Sequence, residues 1–468
     1  MLRWIPVLFA CILGCSPPPE ALPVPKRIFF ITVDTLRADH LGHFGYPRET
    51  SPNLDRLAAR GAVFEHAIAQ WPKTTPSFAS LFTGRYPRTT GLTHRSAARL
   101  GDSFRTLPET LREAGFTTVA TVSNPILAAD LGWGQGFDEY LETWSSEPST
   151  ADPIANRPGV QAPRVNALAM PLLERHSDAD KLFVWLHYSD PHTPYILPDG
   201  VENPFLGDSL DQDDEVVEGR LTRARALGSE RRLGHYVAQY DANIRVADRH
   251  IGAMLSLAGK LGLLEHALVV FTSDHGEALG EHEAYFRHSG VPYNVCAHVP
   301  LIISYPGVLA PGVRISRPVE LLDLYPTLTE LAAPGSGQVD LEGGSLLALL
   351  QASPSTGEAD TDSFRFAFSE AGTPARRHVS VQDGRWRLLA RATRDGRGDP
   401  ARLQLFDLAA DPLEQRNLAG DHPEEVRRLR AELRAWMRTN PPASEQRGPA
   451  PGESDESLDA LRAMGYLD

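Results

Sequence analysis

Three absences narrow what this chain of 468 residues can be. Cysteine occurs three times, at Cys11, Cys15 and Cys296, so a disulfide framework is excluded as the source of stability. Lysine occurs only at Lys26, Lys73, Lys181 and Lys260, and the formal net charge is -14. No basic stripe is available to neutralise phosphates, which argues against nucleic acid as a partner. No apolar run reaches the length of about 20 residues that a membrane-spanning helix needs. The longest, from Trp4 to Leu13, follows Arg3 and ends at Ile12-Leu13-Gly14-Cys15. That pattern predicts a lipoprotein-type export signal over 1–15 with acylation at Cys15, or a plain signal peptide. The stiff Ser16-Pro17-Pro18-Pro19 stretch opens a linker over 16–26. Export to a bacterial periplasm or cell envelope follows, with the membrane engaged only through the lipid. Cleavage before Cys15 and its acylation leave Cys296, in an apolar run, as an inert buried thiol.

What is present is a repeating strand–loop–helix order. Ile28–Val33, Thr117–Val122, Leu182–Leu186 and Ala267–Phe271 are short β-rich apolar runs of the kind buried on both faces of a sheet. Helical patterns cover Asn53–Arg60, Thr106–Ala114 and Tyr236–Leu257. The alternation predicts an α/β fold with a largely parallel central sheet flanked by helices, over 27–333. Val379–Leu389 and Leu403–Leu408 read as antiparallel strands, and Glu424–Met437 as an amphipathic helix with Leu429, Leu433 and Trp436 on one stripe. These predict a small C-terminal α+β subdomain over 334–440, then a low-complexity tail over 441–468. The acidic stretch 208–218 reads as an insertion over one face.

Polar residues gather where strands end, and active sites of open α/β sheets lie outside the carboxyl ends of strands. Asp34 follows the first strand in Val33-Asp34-Thr35-Leu36-Arg37-Ala38-Asp39, His192 follows another in Ser189-Asp190-Pro191-His192-Thr193-Pro194, and Asp274 and His275 follow a third in Thr272-Ser273-Asp274-His275-Gly276-Glu277. One acidic residue after a strand is ordinarily a turn former. Three strand ends carrying Asp or His predict a site.

The same segments carry a family resemblance. Lys73-Thr74-Thr75-Pro76-Ser77-Phe78 with Leu81-Phe82-Thr83-Gly84-Arg85 resembles the nucleophile signature of the sulfatases, within the alkaline phosphatase superfamily. Ser51-Pro52-Asn53-Leu54-Asp55-Arg56-Leu57, Gly136-Phe137-Asp138, Val299-Pro300-Leu301, Leu405-Phe406-Asp407-Leu408 and Met464-Gly465-Tyr466-Leu467 extend the resemblance from about Arg27 to the C-terminus. In that family a Cys or Ser is oxidised to formylglycine, and an Arg follows four positions later. Here those positions hold Thr74 and Phe78, so formylglycine chemistry is excluded.

The resemblance implies an alkaline-phosphatase/sulfatase-like fold and one divalent metal ion held by Asp34, Thr74, Asp274 and His275. Carboxylates, imidazole and an alcohol oxygen suit Mn²⁺, Zn²⁺ or Ca²⁺; Val33 stands where many sulfatases have a further Asp, which tilts the set toward Mn²⁺ or Zn²⁺. Thr74 would be the nucleophile, with Thr75 as the register-shifted alternative and a substrate contact. Thr75-Pro76 reads as an N-cap and first helical position. His192 would be the general acid and His288 a second catalytic histidine. Asn124 stands near the family's active-site lysine and would contact substrate. His187 reads as a packed histidine, His282 as a loop residue. Phe78 replaces a cation, or else shapes a pocket for an apolar leaving group.

The implied activity is metal-dependent hydrolysis of sulfate, phosphate or phosphonate esters on a small-molecule, glycan or lipid substrate. Phosphorus esters suit Thr74 better, because a phosphothreonine can be attacked in line by water whereas formylglycine expels sulfate through a second hydroxyl. Loops 142–165 and 197–230 would set specificity. Two alternatives stand beside this: a phosphoethanolamine transferase-like activity, suggested by Ser273–Glu277 with Tyr285-Phe286-Arg287-His288, and a catalytically impaired sulfatase-like binding protein.

Overall fold

A computed structural model of the chain describes residues 22–94, 98–144, 161–208, 210, 215–217, 227, 229–336, 341–351, 365–393 and 401–443. The export signal with Cys15, most of the linker and nearly all of the tail lie outside these residues, as do much of 142–165 and of the acidic stretch 208–218. Among the described residues no helix is long and apolar enough to cross a membrane.

The strands are β1 (Arg27–Val33), β2 (Ala62–Ile68), β3 (Thr117–Val122), β4 (Glu139–Glu142), β5 (Leu182–Tyr188), β6 (Ala267–Ser273), β7 (Ala278–Leu279), β8 (Tyr285–Arg287), β9 (His298–Ser304), β10 (Val313–Ile315), β11 (Val319–Glu320), β12 (Ala367–Thr373), β13 (Arg376–Gln382), β14 (Trp386–Arg391) and β15 (Ala401–Asp407). The main sheet runs β10-β2-β9-β6-β1-β5-β3-β4, with β11 also on β2. Its pairs are parallel except where β9 lies antiparallel to β2 and β6. β1 is central, in register with β5 on one side and β6 on the other, so that Val33 pairs with both Tyr188 and Ser273. That register is what brings the residues after three strands to one point.

Both faces of the sheet are covered, and alternate residues of the central strands divide between two cores. Ile28 and Phe30 face one side with Phe78, Phe82 and Trp185. Phe29, Ile31 and Val33 face the other with Tyr236, Tyr240 and Ile244 of the long helix Leu233–Lys260. This explains runs without polar alternation. The expected helices are present with shifted ends. Thr106 caps Leu107–Glu113 through a capping box with Glu109, and the 236–257 pattern extends a turn at its N-terminal end and three residues at its C-terminal end.

A second sheet, β12-β13-β14-β15, is antiparallel throughout. One face packs Val379, Val381, Leu388 and Leu405 against Leu429, Leu433 and Trp436 of the helix Pro423–Thr439. The expected single strand 379–389 is corrected to two, β13 and β14. The turn between them is held by Asp383, whose Oδ1 accepts from the Arg385 and Trp386 N–H groups.

Candidate metal centre and nucleophile

The site forms where β1, β3, β5 and β6 end. Asp34 leaves β1 and its N–H donates to the Tyr188 carbonyl at 2.8 Å. Asp274 and His275 leave β6. Thr35 and Ser273 fix these two exits to each other: the Thr35 N–H donates to Asp274 Oδ1 at 3.2 Å, and the Leu36 N–H to Ser273 Oγ at 3.0 Å. Thr35 adopts φ 55°, a conformation costly for a β-branched residue. The side chains of Asp34, Thr35, Ser273, Asp274 and His275 are fully buried.

Each carboxylate has one oxygen tied to the protein and one left over. Asp34 Oδ2 accepts from Asn124 Nδ2 at 2.7 Å, while Oδ1 has no hydrogen-bond partner. Asp274 Oδ1 accepts from the Thr35 and His275 N–H groups, while Oδ2 has none. The His275 ring has Nδ1 3.0 Å from the Gly276 carbonyl, so this nitrogen carries the proton of the neutral ring. Its Nε2 then presents a lone pair, 3.3 Å from Asp274 Oδ2 and 3.8 Å from Asp34 Oδ1. Buried acceptors left without donors are rare in native proteins. Asp34, Asp274 and His275 converge with ligand atoms within 4.8 Å of one another. An imidazole whose other nitrogen is bound to a carbonyl is the usual second-sphere arrangement of a metal-ligating histidine. The donor set therefore fits a divalent cation.

Electrostatics agree. Burial pushes the Asp34 carboxyl up to about 6. Burial and then the Asp34 charge raise Asp274 well above the carboxylate range. Burial, then His288, drives His275 far down, which keeps its ring neutral. Two carboxylates that resist ionising beside a neutral imidazole are groups waiting for positive charge.

Thr74 completes the set. Its Oγ1 lies 3.3 Å from His275 Nε2. The helix Thr74–Thr83 starts two residues earlier than expected: Lys73 is the N-cap, with φ -166° and ψ 138°, so Thr75 is corrected to the second helical position and Pro76 to the third. Thr74 thereby stands on the first turn, at the positive end of the helix dipole. Ser77 Oγ donates to the Asp274 carbonyl at 2.6 Å and locks this helix end to the β6 exit. Lys73 Nζ donates to the His94 carbonyl at 2.6 Å, and burial pulls its ammonium down to about 8.

The two other histidines are on the same side. The His288 ring lies 4.2 Å from that of His275 and 5.7 Å from that of His192. His192 Nδ1 sits 2.7 Å from the Thr193 carbonyl. The Asn124 amide donates to Asp34, and its Oδ1 accepts from the Ile126 N–H, so Asn124 holds the Asp34 carboxylate in place. His187 is packed, as expected, with Nδ1 3.1 Å from Thr32 Oγ1; its Nε2 also faces Asp34 Oδ2 at 3.9 Å. His282 stacks on Tyr293 at 3.6 Å. Cys296 is buried, and that burial pushes its thiol far up.

Phe78 corrects an expectation. Its ring is fully buried, 5.1 Å from His187 and 5.3 Å from Trp185. It supports the floor behind Asp34 and does not line an open pocket.

The sequence reading missed Glu277. Its side chain is fully buried, with Oε1 3.0 Å from His288 Nδ1 and Oε2 accepting from the Tyr195 hydroxyl at 3.3 Å. The signal was the Glu closing Ser-Asp-His-Gly-Glu, but only the tertiary contact reveals its partner. Glu277 anchors His288 through Nδ1, with the ring beside that of His275. Glu277→Gln is expected to lower kcat about 10–100-fold while KM changes far less. A loss confined to the melting temperature would assign Glu277 a packing role.

Comparison with known proteins identifies the family and the fold. Residues 26–334 match the sulfatase family, and 280–440 match the C-terminal domain of N-sulphoglucosamine sulphohydrolase. The chain is 37% identical to arylsulfatase K of Xenopus laevis, covering 82% of this chain and 77% of that protein. It is 27% identical to choline-sulfatase of Rhizobium meliloti, covering 79% and 77%. The phosphonate monoester hydrolase of Silicibacter pomeroyi shares the fold with a TM-score of 0.67 at 22% identity, covering 89% of this chain and 96% of that one.

Proposed function

The chain belongs to the sulfatase family, and from that premise we propose a metal-dependent ester hydrolase whose nucleophile is the Thr74 hydroxyl rather than formylglycine. The observation that carries this reading is Thr74 Oγ1 at 3.3 Å from His275 Nε2, on the first turn of a helix and beside two unsatisfied carboxylate oxygens. Asp34, Asp274, His275 and Thr74 would hold one divalent cation, Mn²⁺, Zn²⁺ or Ca²⁺, which when bound supplies Lewis-acid charge neutralisation and lowers the pKa of a coordinated hydroxyl.

The protein's own groups do the rest. Asp34 and Asp274 are held by Asn124 and by the Thr35 and His275 N–H groups, so their geometry is fixed before substrate arrives. Thr74 Oγ1 releases its proton to solvent and attacks the phosphorus or sulfur centre, and the bond to the ester oxygen breaks. His192 Nε2 gives the leaving alcohol its proton. Water then attacks the threonine ester, His192 takes the water proton, and the inorganic oxyanion departs as the Thr74 alkoxide takes a proton back from solvent. His288, positioned by Glu277, faces the transferred group.

This second step decides the substrate preference. A phosphothreonine is open to in-line attack by water, so phosphate and phosphonate esters are favoured on chemical grounds. The 37% identical arylsulfatase K favours sulfate esters. Purified protein loaded with Mn²⁺, Zn²⁺ or Ca²⁺ should turn over a phosphorus ester in a matched panel of aryl sulfate, phosphate monoester, phosphodiester and phosphonate. Sulfate-only turnover would reverse the preference. Transfer to an added alcohol in place of water would support a transferase, and inertness toward the whole panel would support a binding protein. An envelope location through acylated Cys15 belongs to the same proposal and rests on the sequence alone; palmitate labelling should disappear in Cys15→Ser.

A further inference from the structure

The outer face of the C-terminal sheet divides into two halves, and among the described residues only one of them has its arginine paired with a carboxylate. Along β13, β14 and β15 this face carries Ser380, Arg387, Leu389 and Phe406 at one end. There Arg387 reaches the Pro292 carbonyl and lies 3.2 Å from Glu414, while Leu389 and Phe406 pack on Val291 and Tyr293. At the other end the same face carries Arg376, His378, Arg391 and Arg402. These line a cleft of about 590 Å³ with an aliphatic floor of Leu389, Ala390 and Leu403.

Among the described residues, no carboxylate lines that cleft. Among the described residues, none of Arg376, Arg391 or Arg402 makes an ion pair, although acidic residues exceed basic ones by 14 in the whole chain. The register explains the cluster. His378 pairs with Arg391 across β13 and β14, and Arg391 pairs with Ala401 beside Arg402. Three guanidinium groups are thus brought onto adjacent strands, where like charges repel and cost stability unless an anion bridges them.

The cleft is continuous with the catalytic segment. The Gly372 N–H donates to the Ser289 carbonyl at 3.0 Å, and His378 is hydrogen-bonded to the Gly290 backbone. Ser289 directly follows His288 and takes φ 74°. One short segment therefore joins the histidine facing the transferred group to the mouth of the cleft.

We propose that this cleft is an accessory oxyanion site that holds a second anionic group of an extended acidic glycan. The inference rests on the ester-hydrolase reading for the identity of the glycan as substrate. Guanidinium forks match sulfate and carboxylate oxygens bidentately. The aliphatic floor suits a sugar ring edge. Among the described residues no aromatic ring lines the cleft to offer the base stacking that single-stranded nucleic acid uses. Small esters would reach Thr74 without touching the cleft; a chain carrying several anionic groups would span both.

The test is equilibrium binding of a sulfated hexasaccharide, its desulfated counterpart and a carboxylate-only counterpart to full-length protein. All variants carry Thr74→Ala to prevent turnover. Arg376→Gln with Arg391→Gln should weaken the sulfated ligand about tenfold or more and flatten its salt dependence. The control Arg314→Gln, an exposed arginine on β10 elsewhere on the surface, should not. Melting temperatures establish that each variant is folded. Comparable weakening of the carboxylated ligand would identify charge alone as the recognised feature; weakening of the sulfated ligand only would identify sulfate. Unchanged affinity in the double variant overturns the proposal, as does equal affinity of the parent for sulfated and desulfated chains. Because binding is read without turnover, it is separable from the small-ester assay: loss of the latter alone would remove the hydrolase reading and leave the cleft.

Discussion

Thr74→Ala is expected to lower turnover by at least about 10³-fold while leaving cation binding largely in place. The reasoning is geometric. Among the described residues, Thr74 Oγ1 is the hydroxyl placed against His275 Nε2, whereas Asp34 and Asp274 keep their own hydrogen-bonded frames without it. Removing the oxygen deletes the attacking atom and one donor of the set, and the three remaining ligands are strong ones. Thr74→Ser should retain part of the activity, since the hydroxyl survives. Thr75→Ala separates the two registers: at the second helical position it should cost far less than Thr74→Ala. Rapid quenching with a slow phosphorus ester should trap the transferred group on the peptide containing Thr74. Activity in Thr74→Ala within tenfold of the parent would remove Thr74 as nucleophile, and label on Thr75 would move the role by one residue.

How much of this was legible before the fold was known follows from the kind of signal involved. The parallel sheet was visible because strands buried on both faces are written as unbroken apolar runs, as in Ile28–Val33. Asp34, Asp274 and His275 were visible because catalytic groups cluster at strand ends, and β1 and β6 turn out to be neighbours. The hairpin from β13 to β14 was hidden. Its turn, Asp383-Gly384-Arg385, interrupts a continuous apolar pattern by three residues, and the stop depends on Asp383 accepting two backbone N–H groups. β12 was hidden as well. Its central residues alternate poorly, and its place is set by pairing with β13 and by the Glu370 N–H donating to the Gln70 carbonyl.

Phe78 shows the limit most clearly. Sequence alone marks it as a cation replaced by a ring, which invites either a lost function or a new pocket. The structure buries the ring between Trp185, Phe82 and His187. Its role is to shape the wall that keeps His187 behind Asp34. Nothing in the local pattern distinguishes a ring turned toward the core from one turned toward solvent, because both neighbours on the helix, Ser77 and Ala79, are buried too. Asn124 and Glu277 share that opacity. Each acts through a residue 90 and 11 positions away, respectively, and polar side chains of this kind advertise no partner in sequence.

Chelation should destabilise the protein, and the loss should grow as pH rises. In the metal-free protein, burial lifts the Asp34 carboxyl from its ordinary 3.8 to about 6, so the folded state holds a proton that the unfolded chain has released. Stability then falls as pH climbs from about 4 through about 6, because the unfolded chain binds fewer protons there. A rise of that size corresponds to about 3 kcal/mol by pH 7, and Asp274, raised further by the neighbouring Asp34 charge, adds in the same direction. A bound cation removes the penalty by compensating both carboxylates. Asp274→Asn makes the argument decisive. It eliminates one of two repelling charges, whose neighbouring carboxylate raises the other. The metal-free variant should therefore melt higher than the metal-free parent at pH 8, yet gain nothing when Mn²⁺, Zn²⁺ or Ca²⁺ is added, and it should hydrolyse no ester. Thermal unfolding with and without each cation, at pH 5 and pH 8, reads all three effects. A parent whose melting temperature ignores every cation at both pH values would mean that Asp34 and Asp274 are not compensated by metal, and the charge arrangement described above would need another counterion.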